Sequence, residues 1–299
     1  MILGRLKGLT LTGLVFSILS ILAGAIVRAT GSGNGCGTSW PTCNGSVLPD
    51  FLTTSALIEY THRALSGILL IITVALFIYS KKNSLARITK KVINLLLFFV
   101  VLEALIGMTI VLLEWVAFNT SLPRLIAVPI HLVNTFSLLA LYVVTYCIFA
   151  SGISELNFYY NRRFIITCIL FFMVAVSGSI VALSDFLYPS QSFTQGLAMD
   201  FNETSKILTR LRVLHPIISS MLLVWIFLEA KRLSEMENIS SATYLKTLVL
   251  IVTSLGVINV FININIIFSV LHLFFADLLW GFYIYTNMEK SYNTKKESN

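Results

Sequence analysis

Charge is what this sequence has least of. Only 12% of its 299 residues are Asp, Glu, Lys or Arg, about half the ~25% usual in soluble chains. That excludes a soluble enzyme. Long polar stretches are also missing. The largest gaps between apolar runs, 29–55 and 185–211, are about 27 residues each, too short for a second domain. The four cysteines include no C-x-x-C pair, which excludes a zinc ribbon or a cysteine-ligated iron–sulfur cluster. Histidine is equally scarce, with four residues.

Apolar runs are abundant. A bilayer core of ~30 Å takes ~20 apolar residues per helix, and eight stretches qualify: roughly 8–28, 56–80, 92–113, 124–150, 164–184, 212–230, 244–264 and 266–287. Barrel strands would be ~10 residues of alternating polarity, and runs such as 92–101 do not alternate. The expected fold is an all-α integral membrane protein, an eight-transmembrane-helix bundle. Arg5 and Lys7 before the first run give it the look of a signal sequence. Its apolar stretch nevertheless exceeds a signal core of ~7–15 residues, so it is read as a retained first helix. No long Arg/Ser-rich leader argues for a mitochondrial precursor.

The net charge of +7 reports topology. An even helix count puts both termini on one side. If that side is the cytoplasm, fifteen of the 21 Lys and Arg lie inside, and Arg28, Arg63, Arg124, Lys206, Arg210 and Arg212 lie outside. This follows the positive-inside rule. The expected partner surface is membrane lipid and not nucleic acid. The expected location is a bacterial cell (inner) membrane, multi-pass, with both termini cytoplasmic.

The two halves echo each other. Ala23-Gly24-Ala25-Ile26-Val27 reads like Ser177-Gly178-Ser179-Ile180-Val181, and His62 and Ser66 match His215 and Ser219 at an offset of 153. His131 and His272 then fall in the fourth helix of each half. The pattern implies two pseudo-twofold-related four-helix repeats about an axis along the membrane normal. The expected halves are 1–155 and 156–299.

All four histidines sit near the outer start of an even-numbered span, about 8–12 Å below the surface at 1.5 Å per residue. A lone histidine in a bundle is usually an interhelical hydrogen-bond partner. Four at one depth, two per half, point to two bis-histidine sites, and paired neutral imidazoles ligate haem iron. A single four-histidine metal site is the alternative. Arg28, Arg63, Arg210 and Arg212 lie beside them as candidates for the haem propionates, since a guanidinium forks onto carboxylate; the alternative is snorkelling to lipid headgroups. Pro129 and Pro216 near two of the histidines either aim a ligand or mark a helix start.

Glu59 lies three residues before His62, on the same helix face. The matching second-half position is Arg212. A site that only holds a cofactor has no need of this acid, whereas one that handles protons or a developing cation does. This assigns chemistry to the first half and an electron-carrying haem to the second. The alternative is an interfacial acid near a helix N-terminus. Cys36 and Cys43 flank a six-residue loop on the expected oxidising side, where a disulfide is allowed. It would be either a structural staple or a redox pair. Cys147 and Cys168 read as apolar packing. Glu103, Asn259, Asn263, Asn265 and Asp277 read as interhelical hydrogen-bonding groups.

The run Gly31-Ser-Gly-Asn-Gly-Cys36-Gly-Thr-Ser-Trp40-Pro-Thr-Cys43, then Glu59-Tyr-Thr-His62-Arg63, Leu211-Arg212-Val213-Leu214-His215-Pro216 and Leu271-His272 closely resembles the haem A synthase family over essentially the whole chain. The resemblance implies haem b ligated by His215 and His272, and substrate haem O ligated by His62 and His131. It implies oxidation of the C8 methyl of haem O to the formyl group of haem A for cytochrome oxidase assembly, through two hydroxylations and loss of water. It makes Glu59 the essential acid, involves Cys36 and Cys43 in haem transfer or redox support, and implies haem O synthase as a pathway partner. Some members carry a second cysteine pair in the second-half outer loop, and this chain has none there. No motif names the electron donor. The competing readings are a non-catalytic bis-histidine b-type membrane cytochrome and a haem-delivery protein.

Overall fold

The computed structural model describes residues 2–47, 53–151, 162–236 and 239–298. Its helices in chain order are α1 (Ile2–Ala29), α2 (Thr54–Lys82), α3 (Arg87–Leu112), α4 (Leu122–Ser151), α5 (Arg162–Leu187), α6 (Phe193–Phe201), α7 (Ile207–Arg210), α8 (Leu214–Met236), α9 (Ala242–Phe261) and α10 (Ile266–Ser298). Eight segments are long and apolar enough to cross a membrane, with α7 and α8 joined in one of them, Ile207–Glu235. The chain is a multi-pass, all-α membrane protein. No strand occurs among the described residues. The expected boundary at 155/156 lies outside them.

Hydrocarbon chains are as apolar as leucine, so packing and hydrogen bonds hold such helices together. α4 is the central element. Two thirds of its membrane window is buried (67%), against at most 28% for any other span. It packs on α1, α3, α5 and α10. Gly13 lets α1 approach it, because a β-carbon there would stand 2.3 Å from Tyr142 Cε1. The Tyr142 hydroxyl in turn bonds Thr73 Oγ1 of α2 at 2.6 Å. The helices α1 to α4 close on one another as a four-helix ring. Aromatic side chains bridge α5 to α10: Phe171 lies 4.6 Å from Trp280, ring centre to ring centre, and Phe164 stacks on Tyr283. Trp280 also donates Nε1–H to the Phe136 carbonyl of α4, so this indole ties together the two groups of helices. Outward positions such as Leu11, Val15 and Leu19 recur every four residues and stay exposed, as a lipid-facing stripe requires.

The outer loops are more ordered than the sequence suggests. The stretch 185–211, expected as loop, contains the last turn of α5, then α6 and α7. Ser192 caps α6 by accepting from the Gln195 N–H, which satisfies one of the free donors at its start. α8 runs to Met236, beyond the expected end near 230. Its charged last turns are anchored there: Glu229, buried, pairs with Arg163 and Arg232.

Candidate functional site

The four histidines share one local design. Each sits in the first turns of α2, α4, α8 or α10, half-buried, and lays its imidazole over a glycine of the preceding membrane span, α1, α3, α5 or α9. A β-carbon at Gly24 would stand 3.0 Å from His62 Cε1, one at Gly178 3.0 Å from His215 Cε1, and one at Gly256 3.0 Å from His272 Cε1. The fourth notch is looser: Gly107 faces His131 Cε1 at 3.7 Å. Any other residue at the three tight positions would push the ring away.

The notch also orients the ring. With no side chain at the glycine, Nδ1 can reach the group four residues earlier, one helical turn back. His62 Nδ1 meets the Ser20 carbonyl at 3.0 Å and His272 Nδ1 the Val252 carbonyl at 3.1 Å. His215 Nδ1 lies 3.2 Å from Ser177 Oγ. His131 Nδ1 lies 3.3 Å from a carboxylate oxygen of Glu103. Among the described residues no hydrogen bond engages Nε2 of any of the four. An imidazole with Nδ1 tied back and Nε2 free is the usual state of a metal-binding histidine.

The pairing follows the halves. His215 and His272 have ring centres 6.4 Å apart, with planes at 85°. An iron about 2 Å from each Nε2, with each ring centre about 1.2 Å behind its nitrogen, needs a separation of about 6.4 Å. The separation of the two rings matches that spacing. His131 lies within electrostatic range of His62, as expected of the first-half pair. Among the described residues no group of three or more His, Cys, Asp or Glu is placed to hold a metal ion. The single four-histidine site is thus not formed.

Around the first pair, the cysteine loop is tied down tightly. Cys36 and Cys43 are disulfide-bonded, with Cα atoms 4.4 Å apart, and both are fully buried. The loop lies so close to the start of α2 that a β-carbon at Gly35 would stand 2.4 Å from the Ser55 carbonyl. Glu59 is the anchor. It is only 3% exposed; it accepts the Cys36 N–H at 2.9 Å on one oxygen and the Arg63 guanidinium at 2.5 Å on the other. Arg63 also donates to the Ser39 and Thr42 carbonyls. The expected acid is thus part of a clamp joining α2 to the disulfide loop, one turn above His62.

The second half replaces that clamp with one of opposite polarity. Arg212 pairs with Asp185 and Asp200, at 2.7 and 2.6 Å, and donates to the Gly196 carbonyl. It locks α6 onto the end of α5. Of the four candidate arginines, Arg63 and Arg212 thus spend donors on protein acceptors. Arg28 commits Nη1 to the Ala182 carbonyl of α5 at 2.6 Å. Arg210 is exposed, and no hydrogen bond or ion pair engages its side chain among the described residues.

Two residues escaped the sequence reasoning. Arg124, counted only as an outer cation, is buried with Nε unpartnered and lies in electrostatic range of Arg28. Glu103, read as a generic hydrogen-bonding group, directly faces the ring of His131, one of the four candidate ligands. The signals were available: Glu103 is the only charged residue between 92 and 113, and it lies four before Gly107. Pro129 sits inside α4 without ending it. Cys147 and Cys168 are free.

A family model described as "Cytochrome oxidase assembly protein", COX15-CtaA, matches residues 7–284. A Thermus thermophilus protein named protoheme IX farnesyltransferase is 33% identical over 296 residues, covering 94% of this chain and 48% of the relative. The chain thus spans about half the length of that relative. A heme A synthase of Bacillus licheniformis is 28% identical over 296 residues and 94% of each chain. One of Geobacillus thermodenitrificans is 27% identical, covering 92% of this chain and 88% of the relative. With the family match running from α1 into α10, the chain belongs to the COX15-CtaA family of cytochrome oxidase assembly proteins.

Proposed function

We propose that this chain is a haem A synthase, an oxidoreductase that converts the C8 methyl of haem O to the formyl group of haem A by successive hydroxylations, for cytochrome oxidase assembly. The observation that carries the reading is the set of four notched imidazoles with Nε2 free, three of them with Nδ1 hydrogen-bonded, and one pair at the spacing of a shared iron. The relatives named heme A synthase, aligned along most of their length, support it. So does the fourfold recurrence of the glycine notch, which fits a two-repeat ancestry.

In this reading His215 and His272 hold haem b, and His62 and His131 hold haem O. Bound haem supplies one-electron redox chemistry. Oxidising a methyl to a formyl group with water as the oxygen source, R–CH3 + H2O → R–CHO + 4 H+ + 4 e−, would pass the electrons to a one-electron acceptor outside this chain. The site therefore needs an electron relay and a proton acceptor. The second half, with Arg212 where the first has Glu59, is the relay. Glu59 is the acid of the first half. Its carboxylate, fixed by Cys36 N–H and Arg63, places negative charge one turn above His62, where it stabilises developing positive charge or takes a proton. Arg28 and Arg210 keep donors for propionates, and Arg124 joins them; Arg63 and Arg212 act through the clamps they close.

The charge bias supports both termini on the cytoplasmic face of a bacterial inner membrane, with the disulfide on the oxidising side. The match to half of a protein named protoheme IX farnesyltransferase supports haem O synthase as the partner that delivers substrate. The test is to co-express the chain with a haem O synthase in a host lacking its own haem A synthase and to extract the porphyrins. Hydroxylated haem O or haem A is the expected product. Unaltered haem O would leave a non-catalytic cytochrome or a haem-delivery protein.

A further inference from the structure

We infer that Glu103 is a positioning residue for the first-half porphyrin site, its carboxylate setting the ring of His131 and giving that one imidazole an anionic partner. The inference rests on the proposed ligand role of His131.

The support is a broken pattern. In two notches the group one turn before the glycine meets Nδ1 through its backbone carbonyl, Ser20 and Val252, and in a third Nδ1 lies 3.2 Å from the neighbouring Ser177 hydroxyl. In the fourth, the position one turn before the glycine is Glu103, and its side chain takes over. Glu103 Oε1 stands 3.3 Å from His131 Nδ1. That nitrogen is buried and has no hydrogen-bond partner among the described residues. The looser contact at Gly107, 3.7 Å, leaves the ring room to turn onto the carboxylate. The carboxylate itself is held in place. Asn134 donates Nδ2–H to Oε2 at 2.6 Å, and Thr135 donates its hydroxyl to Oε1. His131, Asn134 and Thr135 are spaced to share one face of α4, so α4 presents both the ring and the donors that fix its partner. A carboxylate in a membrane span is costly and is kept for a reason.

A plain α3–α4 clamp would not need the charge. A glutamine could accept from Asn134 on its carbonyl oxygen and donate its amide to the Thr135 hydroxyl, which also accepts. A carboxylate opposite Nδ1–H makes an imidazole a stronger electron donor, which favours ferric over ferrous iron. The two haem sites would then differ in potential through one side chain, with the first-half site biased to the lower value.

The test uses the purified full chain with haemin as probe, followed by optical redox titration and electron paramagnetic resonance. Glu103→Gln is expected to lower the ferric-over-ferrous preference of the first-half haem about tenfold, read as a rise of about 59 mV in a one-electron potential, with the second-half haem unmoved. Glu103→Asp should restore most of the wild-type value. An unshifted Glu103→Gln variant overturns the inference. So does loss of first-half haem in the Gln and Asp variants alike while the second haem persists, since that marks a packing clamp. Loss in the Gln variant alone supports a need for the charge. His131→Ala tests the layer beneath: if haemin still loads the first half there, the ligand assignment fails, and not the role of Glu103.

Discussion

Gly178→Ala tests the notch most cleanly because it adds one carbon and removes nothing. The new β-carbon would lie 3.0 Å from His215 Cε1 and 3.3 Å from Nδ1. Ordinary contact begins near 3.4 Å, so the ring must retreat by a few tenths of an ångström. Retreat stretches the Nδ1 bond to Ser177 and moves Nε2 relative to His272. Overpacking of this kind costs about 1–3 kcal/mol, or about 5- to 150-fold in affinity if it falls wholly on the bound state. The assay is haemin titration of the purified protein, following the low-spin spectrum. Weaker binding with a partly high-spin spectrum is expected. Gly107→Ala is the internal control: its β-carbon meets His131 at 3.7 Å, so first-half binding should change less than twofold. Wild-type affinity in Gly178→Ala, or equal damage from Gly107→Ala, would refute the steric reasoning.

Glu59→Gln keeps the shape of the clamp and removes its charge; haem A formation in cells should fall by at least ~10²-fold, as for a general acid–base group, while second-half haem is retained, measured by pigment extraction and spectrum. Replacing Cys36 and Cys43 together by serine opens a short closed loop and should cost about 2–3 kcal/mol in the chain-entropy treatment, seen as a lower thermal midpoint in detergent. Arg212→Leu leaves Asp185 and Asp200 facing each other unpaired. Breaking a buried pair costs about 3–5 kcal/mol, and proteolysis around α6 should accelerate, whereas Arg212→Lys should lose less.

Much of the architecture was legible because a membrane span announces itself by length and by the absence of charge. The four histidines were legible because they are rare and fall at matching places in successive spans. Partner choice was not legible. Arg63 and Arg212 read alike in sequence, as outer cations near a histidine. Yet one reaches a loop of its own half and the other a helix that the sequence did not announce. α6 stayed hidden because a nine-residue helix beside charged residues carries no spanning signal. The role of Glu103 depends on which side chain of α4 faces it, and helix rotation is set by packing. The glycine notches were half visible: the Gly24 and Gly178 match was read as a repeat, but that each glycine seats a histidine ring emerges only from the packing.

The most direct measurement is the low-spin haem signal of purified protein carrying His215→Ala or His272→Ala, each beside His62→Ala. Either second-half variant should abolish the same signal, because both imidazoles grip one iron, while His62→Ala leaves it intact. A signal that survives both second-half substitutions, or that vanishes with His62→Ala instead, would contradict the paired-imidazole assignment.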